Sequence, residues 1–206
     1  MTTSPQEIGG FMQRANALLI NLGTFDAERQ AATETAIAAA AELKLPWVLD
    51  PVLIDRSPER AKYARALVDA GPKAIRLNAA EFTALTGRGA DQEAAADFAR
   101  GHGSIVALSG KTDFISDGRR NVAIANGHAL MAKVTAMGCA ASALAAACIA
   151  VEPDAWAGAA AGLLLLGVAG EIAANEAKGP GSFAVAIIDT LNGLDARTLT
   201  ERAQVS

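Results

Sequence analysis

Positive charge is scarce in this chain. Its 206 residues carry 18 lysine and arginine side chains against 22 aspartate and glutamate side chains, which gives a formal net charge of -4 at pH 7. Proteins that bind nucleic acid or anionic membranes present a basic surface that neutralises phosphates. No basic run interrupts this acidic balance. We therefore expect no nucleic-acid partner and no membrane partner, and the composition favours a small-molecule ligand.

Cysteine is also rare, with only Cys139 and Cys148 in the sequence. Both lie on one predicted helix, separated by a rise of roughly 13 Å, whereas a disulfide needs Cα atoms within about 7 Å. We therefore expect two reduced thiols. Residues 1–10 contain neither the basic segment nor the apolar segment of a secretory signal. Together these features predict a cytoplasmic protein.

Long uncharged runs are nearly absent, with one exception from Ala155 to Gly170. This stretch is rich in alanine and glycine, is bounded by Asp154 and Glu171, and is shorter than the span of about 20 apolar residues that crosses a membrane. We expect a buried core helix here. The chain is 51% hydrophobic and 19% charged, which predicts a single globular domain over residues 1–206 with ample core.

Short apolar runs alternate with helical patterns in the first half of the chain. The predicted strands are 17–22, 47–50 and 74–77, and the predicted helices are 5–15, 26–43, 58–70 and 79–86. Such alternation predicts an α/β fold in which parallel strands are covered by helices on both faces. This is the doubly wound, three-layer αβα arrangement.

A second group of predicted strands follows a different pattern. The segments 104–108, 112–116 and 121–125 are joined by Gly110 and by Asp117-Gly118, which are typical of hairpin turns. We therefore expect an antiparallel edge on the otherwise parallel sheet. The remaining predicted helices are 139–150, 153–174, 182–194 and 196–202.

Polar side chains follow several predicted strands where those strands end. They are Asn21, Asp50 and the group Arg76, Asn78 and Glu81. In open α/β sheets, ligands bind beyond the carboxyl ends of the strands. Asp50 and Glu81 together suit Mg²⁺, which takes one or two carboxylates and bridges to substrate phosphates. The alternative is that Asp50 caps a turn or helix and that Glu81 is a solvated side chain.

The segment Gly138-Cys139 opens an alanine-rich predicted helix. The first turn of a helix offers unpaired N–H groups and a positive dipole, so it can hold an anion such as phosphate. The same field lowers the pKa of a thiol, which predicts a functional Cys139. The alternative is a structural thiol, because free cysteine is among the most buried residue types.

An ordered set of motifs resembles the hydroxyethylthiazole kinase family over essentially the whole chain. The motifs are Ile20-Asn21-Leu22-Gly23-Thr24, Leu49-Asp50-Pro51-Val52, Arg76-Leu77-Asn78-Ala79-Ala80-Glu81, the run from Ser109 to Gly118, Gly138-Cys139, and Gly179-Pro180-Gly181-Ser182-Phe183. Other ribokinase-like enzymes carry an aspartate where this chain has Cys139, so the cysteine indicates the thiazole branch of that fold.

The resemblance implies a ribokinase-like fold and transfer of the ATP γ-phosphoryl group to the alcohol of 4-methyl-5-(2-hydroxyethyl)thiazole, a step of thiamine metabolism. It implies that members are homotrimers whose active sites are shared between neighbouring subunits. It also implies roles for single residues. These are ATP binding by Arg76 and Ser109, substrate contacts by Met1 and Gly138, a catalytic contact by Cys139, and Mg²⁺ or phosphate binding by Asp50 and Glu81.

The chain also departs from the family's pattern. Members carry a further upstream segment with an Ile-Thr-Asn motif, so we expect a kinase domain truncated at its N-terminus relative to the family. Leu77, Ala136 and Met137 replace small residues of the family motifs, and Ser109 replaces a threonine. Two alternatives to the thiazole kinase therefore remain. One is a non-catalytic relative that binds a ligand or pairs with another subunit, and the other is a kinase of a different small alcohol.

Overall fold

The computed structural model describes residues 4–206, which form six strands and nine α-helices. The strands are β1 (Leu18–Asn21), β2 (Trp47–Asp50), β3 (Ala74–Asn78), β4 (Ile105–Ser109), β5 (Asp113–Ser116) and β6 (Asn121–Ile124). The helices are α1 (Pro5–Met12), α2 (Ala27–Leu43), α3 (Pro58–Asp69), α4 (Ala79–Thr86), α5 (Gln92–His102), α6 (Met137–Val151), α7 (Ala155–Glu176), α8 (Pro180–Gly193) and α9 (Ala196–Arg202). Two 3₁₀ helices, Ile54–Arg56 and Ala129–Lys133, lie in loops.

The strands lie in the sheet in the same order as in the chain, from β1 to β6. Neighbours from β1 to β4 are parallel, and β5 and β6 are added as antiparallel strands. The prediction of a mostly parallel sheet with an antiparallel edge is therefore confirmed. The polypeptide turns at Gly110 and at Asp117-Gly118 produce that edge, because a short turn can only join antiparallel neighbours.

Helices cover both faces of the sheet. The core on one face contains buried residues of α2, α3, α4 and α5, and the core on the other face contains residues of α6 and α7. The three-layer αβα prediction is confirmed. The predicted double winding is wrong, because each parallel strand lies directly beside the previous one. Right-handed crossovers then place every connecting helix on one face. The second face is covered by helices that follow the complete sheet.

The parallel strands are buried on both sides. In β2, Leu49 contributes to the core beneath α2–α5, whereas the adjacent Val48 contributes to the core beneath α6 and α7. Successive side chains of a strand point to opposite faces, so a strand between two helical layers needs apolar residues at every position. This explains why the sequence shows short continuous apolar runs there and no alternation.

By length and composition, helix α7 could cross a membrane. In its most apolar 18-residue segment, 56% is buried inside the protein. The helix packs against α6, α8 and the strands β4 to β6. Glycines make the contact with α6 close, since a Cβ at Gly162 would lie 2.5 Å from the backbone nitrogen of Ala145. The predicted core helix is confirmed, and it extends beyond the predicted end to Glu176.

Sequence reasoning missed α5. This helix begins after Asp91, whose side chain accepts a hydrogen bond from the backbone N–H of Ala94. Buried alanines at 94, 95, 96 and 99 form its inner face. The available signal was an aspartate N-cap followed by a run of good helix formers.

Candidate active site

The carboxyl ends of the parallel strands bring the predicted polar residues to one edge of the sheet. Asn21 at the end of β1 lies beside Asp50 at the end of β2, and Asn78 at the end of β3 lies beside Ser109 at the end of β4. This alignment follows from parallel pairing, which places equivalent ends of neighbouring strands together.

Asp50 is fully buried at this edge. Its Oδ2 accepts a hydrogen bond of 2.6 Å from Nδ2 of Asn21, and its Oδ1 has no hydrogen-bond partner among residues 4–206. Burial raises the pKa of Asp50 to about 6, although the positive charge of Arg76 opposes this rise and the negative charge of Glu81 adds to it. The alternative of a capping Asp50 is therefore wrong, since no helix end receives its side chain.

Glu81 is 5% exposed and stands in the first turn of α4. Its Oε2 accepts from the backbone N–H of Asn78 at 2.9 Å, and the Asn78 side chain accepts from the backbone N–H of Glu81 at 3.0 Å. Its Oε1 accepts from the backbone N–H of Leu53 at 3.1 Å. Glu81 thus closes a capping box and ties α4 to the loop after β2. The alternative of a solvated Glu81 is wrong.

One group at this edge of the sheet, the Asp50 carboxylate, suits a magnesium ion. The buried and unpaired Oδ1 of Asp50 is a hard oxygen donor of the kind that Mg²⁺ prefers. No group of three or more metal-ligating side chains occurs among residues 4–206. Asp50 and Glu81 are the carboxylates beside β2 and β3 at this edge, and Asp113 lies further along it in the cavity wall. A magnesium ion held by so few protein groups keeps its other ligands as water and phosphate.

Arg76 packs directly against the start of α6. A Cβ built on Gly138 would lie 2.5 Å from Nη1 of Arg76, so any larger residue here would displace the guanidinium from its present position. Gly138 and Arg76 both line the same cavity. A permanent cation and the positive end of a helix therefore meet at one place, which favours the binding of an anion there.

Helix α6 begins earlier than predicted, with Ala136 as N-cap and Met137 as its first residue. Ala136 has a φ of 67°, in the left-handed region that glycine adopts without strain. Cys139 is the third residue of the helix, so its predicted position in the first turn is confirmed.

The predicted lowering of the pKa of the Cys139 thiol is wrong. Burial raises the pKa of Cys139, and the carboxylate of Asp50 raises it further, while Asn21 and Arg76 oppose the rise. Partial burial beside a negative charge disfavours the thiolate form. Cys139 therefore carries a neutral S–H group at neutral pH.

A cavity of about 870 Å³ opens beside these residues. Its wall includes the ends of β3 and β4, the turn after β4, the loop after β6 and the inner side of α7. The lining residues with polar side chains are Arg76, Ser109, Lys111, Asp113, Asn126 and His128. Ser109, for which the resemblance implies ATP binding, lines the cavity, and its hydroxyl donates to the carbonyl of Leu77 at 3.3 Å.

Several of these lining residues were not predicted. Lys111, Asp113, Asn126 and His128 belong to turns whose course depends on the antiparallel edge. The signal for Lys111 and Asp113 was their position directly after a strand that ends at the ligand-binding edge. Met1, which the resemblance placed near the substrate, lies outside the described residues.

The chain is similar in sequence to the members of one known family. The chain matches the model of the hydroxyethylthiazole kinase family over residues 1–197. It is 43% identical to the hydroxyethylthiazole kinase of Granulibacter bethesdensis, with 99% of this chain and 79% of that protein aligned. It is 40% identical to the hydroxyethylthiazole kinase of Akkermansia muciniphila, over 91% of this chain and 74% of that protein.

Solved structures give the same result for the fold. The hydroxyethylthiazole kinase protein from Pyrococcus horikoshii OT3 aligns with a TM-score of 0.94 and 32% identity, covering 100% of this chain and 82% of that one. The pyridoxal kinase from Staphylococcus aureus, solved in complex with AMP-PCP and pyridoxal, aligns with a TM-score of 0.62 at 16% identity. It covers 81% of this chain and 66% of that one, and at this identity it supports the fold alone.

Proposed function

Because the chain belongs to the hydroxyethylthiazole kinase family, we propose that it transfers the γ-phosphoryl group of ATP to the alcohol of 4-methyl-5-(2-hydroxyethyl)thiazole. The observation that supports this function best is the contact between the Arg76 guanidinium and Gly138 at the start of α6. Phosphoryl transfer depends mainly on positioning and charge neutralisation. A fixed cation at a helix N-terminus supplies both.

ATP is proposed to occupy the cavity of about 870 Å³, with its phosphates toward Arg76, Ser109 and Gly138. The backbone N–H groups of the first turn of α6 are free of intrahelical partners and face the incoming phosphoryl group. The turn after β4 adds the positive charge of Lys111 to the same wall. These groups neutralise charge that spreads over the phosphoryl oxygens in the transition state.

Asp50 is proposed to hold Mg²⁺ through its unpaired oxygen, and Glu81 adds the negative charge of a second carboxylate beside it. The ion, when bound, neutralises charge on the ATP phosphates. Within the protein, Asn21 orients the Asp50 carboxylate through its 2.6 Å hydrogen bond, and Arg76 balances the two acidic groups.

Cys139 is proposed to contact the substrate alcohol. Its neutral S–H makes it an orienting group at the reacting oxygen, because a raised thiol pKa leaves little thiolate to accept the alcohol's proton. In such a reaction the γ-phosphoryl group passes directly from ATP to the alcohol oxygen, ADP is the leaving group and the alcohol's proton is released to solvent, so the thiol forms no covalent bond. A cytoplasmic location and a homotrimer belong to the same proposal, since the reaction consumes ATP and the family resemblance implies sites shared between subunits.

Titration calorimetry with a non-hydrolysable ATP analogue and magnesium tests the nucleotide site. The wild-type protein binds the analogue, and Arg76→Ala weakens binding by roughly 10- to 100-fold, the range for loss of a charged hydrogen bond. Arg197→Ala is the matched control, because Arg197 is exposed on α9 and pairs only with Glu201 among residues 4–206. An absence of heat at millimolar nucleotide contradicts the kinase function, and unchanged affinity in Arg76→Ala removes that residue from the site.

Substitution of Cys139 tests the thiol contact. Cys139→Ala lowers kcat by roughly tenfold, the effect of losing one orienting hydrogen bond to the reacting oxygen, with little change in ATP affinity. Cys139→Asp retains activity, because a carboxylate there can accept the alcohol's proton. Cys148→Ala, nine residues along the same helix, is the control and keeps full activity. Thiazole-dependent ADP release measures these rates, and a Cys139→Ala variant as fast as wild type assigns the thiol a structural role.

A further inference from the structure

Asn126 lies in the loop that follows β6 and forms one wall of the cavity. It is 6% exposed, and both ends of its amide are hydrogen-bonded. Nδ2 donates to Oε1 of Glu171 at 3.1 Å and to the carbonyl of Arg202 at 2.9 Å, while Oδ1 accepts from the backbone N–H of Gln204 at 2.7 Å. An amide offers two donors and two acceptor positions, so three of its four positions are filled.

Glu171 on α7 collects further bonds at the same oxygen. Its Oε1 accepts from the backbone N–H of Gly127 at 3.0 Å and from Nε2 of Gln204 at 3.2 Å. These contacts join the loop after β6, the long helix α7 and the last residues of the chain. We call the five residues Asn126, Gly127, Glu171, Arg202 and Gln204 the Asn126 cluster.

The C-terminal residues 203–206 pair with the outer edge of β6. Ala123 and Ser206 exchange backbone hydrogen bonds of 2.9 and 3.0 Å, and the N–H of Ala125 donates to the carbonyl of Gln204 at 2.9 Å. The tail therefore continues the sheet beyond β6 and reaches Asn126 at its inner end. An edge strand held in this way gives the following loop a fixed starting point.

The loop after β6 and the segment that follows it also pack against α7 at two glycines, where no side chain separates them from the helix backbone. A Cβ at Gly167 of α7 would lie 2.8 Å from the carbonyl oxygen of Asn126, and a Cβ at Gly170 would lie 2.6 Å from the sulfur of Met131. A side chain at Gly167 would push the loop backbone outward, and one at Gly170 would displace the Met131 side chain. Glycine packing and the hydrogen bonds of the Asn126 cluster thus place the same loop.

We propose that Asn126 and Glu171 are positioning residues for nucleotide binding, which set the loop 125–128 against α7 through the C-terminal tail. This inference rests on the proposed assignment of the cavity to ATP. A wall that is already in place spares the ordering cost that a mobile loop would add to binding. The substrate alcohol is proposed to bind near Asp50 and Cys139. Within residues 4–206, neither of these residues forms a hydrogen bond with the Asn126 cluster.

Asn126→Asp removes the donor to Glu171 and sets two carboxylates against each other. We expect the KM for ATP to rise about tenfold, the effect of roughly 1.4 kcal/mol, while the KM for the thiazole and kcat at saturating ATP stay within about twofold. Adding Glu171→Gln removes one of the two facing negative charges, while its Oε1 still accepts from Gly127 and Gln204, and it restores at least half of the lost ATP affinity on a logarithmic scale. Glu201→Gln on the exposed face of α9 is the control and leaves all three constants unchanged.

Gln204 gives an independent pair of variants at an exposed position. Gln204→Ala and Gln204→Pro both lose the side-chain bond to Glu171, but only the proline variant loses the backbone N–H that Asn126 accepts, and it keeps the carbonyl that Ala125 uses. We expect a higher KM for ATP in Gln204→Pro than in Gln204→Ala, by roughly three- to tenfold.

Nucleotide binding by calorimetry and thermal unfolding are measured beside the kinetics. A variant pair at Gln204 with equal ATP affinity, or an Asn126→Asp protein that loses thermal stability but binds nucleotide within twofold of wild type, overturns the inference and leaves the cluster purely structural. If the wild-type chain binds no nucleotide, the proposed function fails together with the inference. Nucleotide binding by wild type and by Asn126→Asp alike leaves the proposed function intact and contradicts the inference alone.

Discussion

At the scale of single residues, backbone conformation shows what one departure from the family motif costs in stability. Ala136 replaces a glycine of that motif, yet it holds the left-handed conformation with a φ of 67°. This conformation costs an L-residue about 1 kcal/mol, because its Cβ crowds the following carbonyl. The start of α6 therefore keeps its course at a cost in stability.

Replacing this residue by glycine tests the strain. Ala136→Gly is expected to increase the free energy of unfolding by about 0.5–1 kcal/mol, because glycine adopts the left-handed region freely. Ala140→Gly, four residues later within α6, is the matched control and lowers it by about 0.5–1 kcal/mol, the usual cost of glycine inside a helix. Urea unfolding followed by circular dichroism measures both. Equal losses in the two variants would contradict strain at Ala136.

Asp113 provides a test that depends on pH. Burial raises its pKa above 3.8, although the N–H of Gly110 and the charge of Arg76 oppose the rise. The folded state therefore binds this proton more tightly than the unfolded chain, and the contribution of Asp113 to stability falls as pH rises above about 4. Asp113→Asn keeps the acceptor for Gly110 and lacks this loss, so its stability advantage over wild type grows from about pH 4 toward neutral pH.

Asp117, in the next turn, is the contrasting control. Burial acts to raise its pKa, but hydrogen bonds from the backbone and side chain of Arg120 and from Arg119 lower the pKa overall. Its ionised form therefore stabilises the fold above about pH 4, and that contribution is lost as pH falls below this range. Unfolding curves for Asp113→Asn and Asp117→Asn across this range should show pH slopes of opposite sign relative to wild type. Slopes of the same sign would refute the burial effect at Asp113.

At the scale of elements, α6 and α7 pack closely together and cover the second face of the sheet. Glycines at 158 and 162 of α7 bring its backbone to within van der Waals distance of α6. This proximity holds α6 in position, and the first turn of α6 in turn meets Arg76 and Asp50. A small change in the spacing of the two helices therefore reaches the candidate active site.

Gly162→Ala tests this close approach. The added methyl group would lie 2.5 Å from the nitrogen and 2.6 Å from the Cα of Ala145, so the two helices must separate. We expect a loss of roughly 1–3 kcal/mol in the free energy of unfolding, the usual cost of overpacking. Gly10→Ala in the exposed part of α1 meets no atom within 4 Å and should instead gain a few tenths of a kcal/mol to about 1 kcal/mol. Similar stability changes in both would show that α6 and α7 have room to spare.

At the scale of the whole molecule, several large apolar side chains are exposed on the surface. Val185 and Ile188 on α8 are 62% and 67% exposed, one helical turn apart, and Leu53 beside the sheet edge is 48% exposed. Apolar groups left in solvent on one helix face are typical of interaction surfaces. They accord with the homotrimer that the family resemblance implies, and with the proposal that residues 1–206 act as one kinase domain.

Light scattering coupled to size exclusion tests the assembly. We expect a mass three times the 21.0 kDa of one chain, because shared sites require neighbouring subunits. Replacing both Val185 and Ile188 by glutamate should reduce that mass, since two buried charges at a subunit contact are costly. A strictly monomeric wild-type protein at micromolar concentration would contradict the shared-site assembly.

Apart from α5, the strands and α-helices and their order could be read from the sequence, because each depends on neighbouring residues. Apolar runs predicted every strand, the hairpin turns at Gly110 and Asp117-Gly118 predicted the antiparallel edge, and the aspartate and asparagine at strand ends predicted the edge where ligands bind. The family resemblance rests on the same local motifs, and the comparisons confirm it.

Other properties were decided only by the tertiary structure, because they depend on residues far apart in the chain. The helices between strands lie on one face because the strands are laid down in order. Asp50 and Cys139 have raised pKa values because folding buries them together, which no local pattern shows. Asn126, Glu171 and Gln204 meet across separations of 33 to 78 residues, so their contact exists only once the sheet edge, α7 and the tail are assembled.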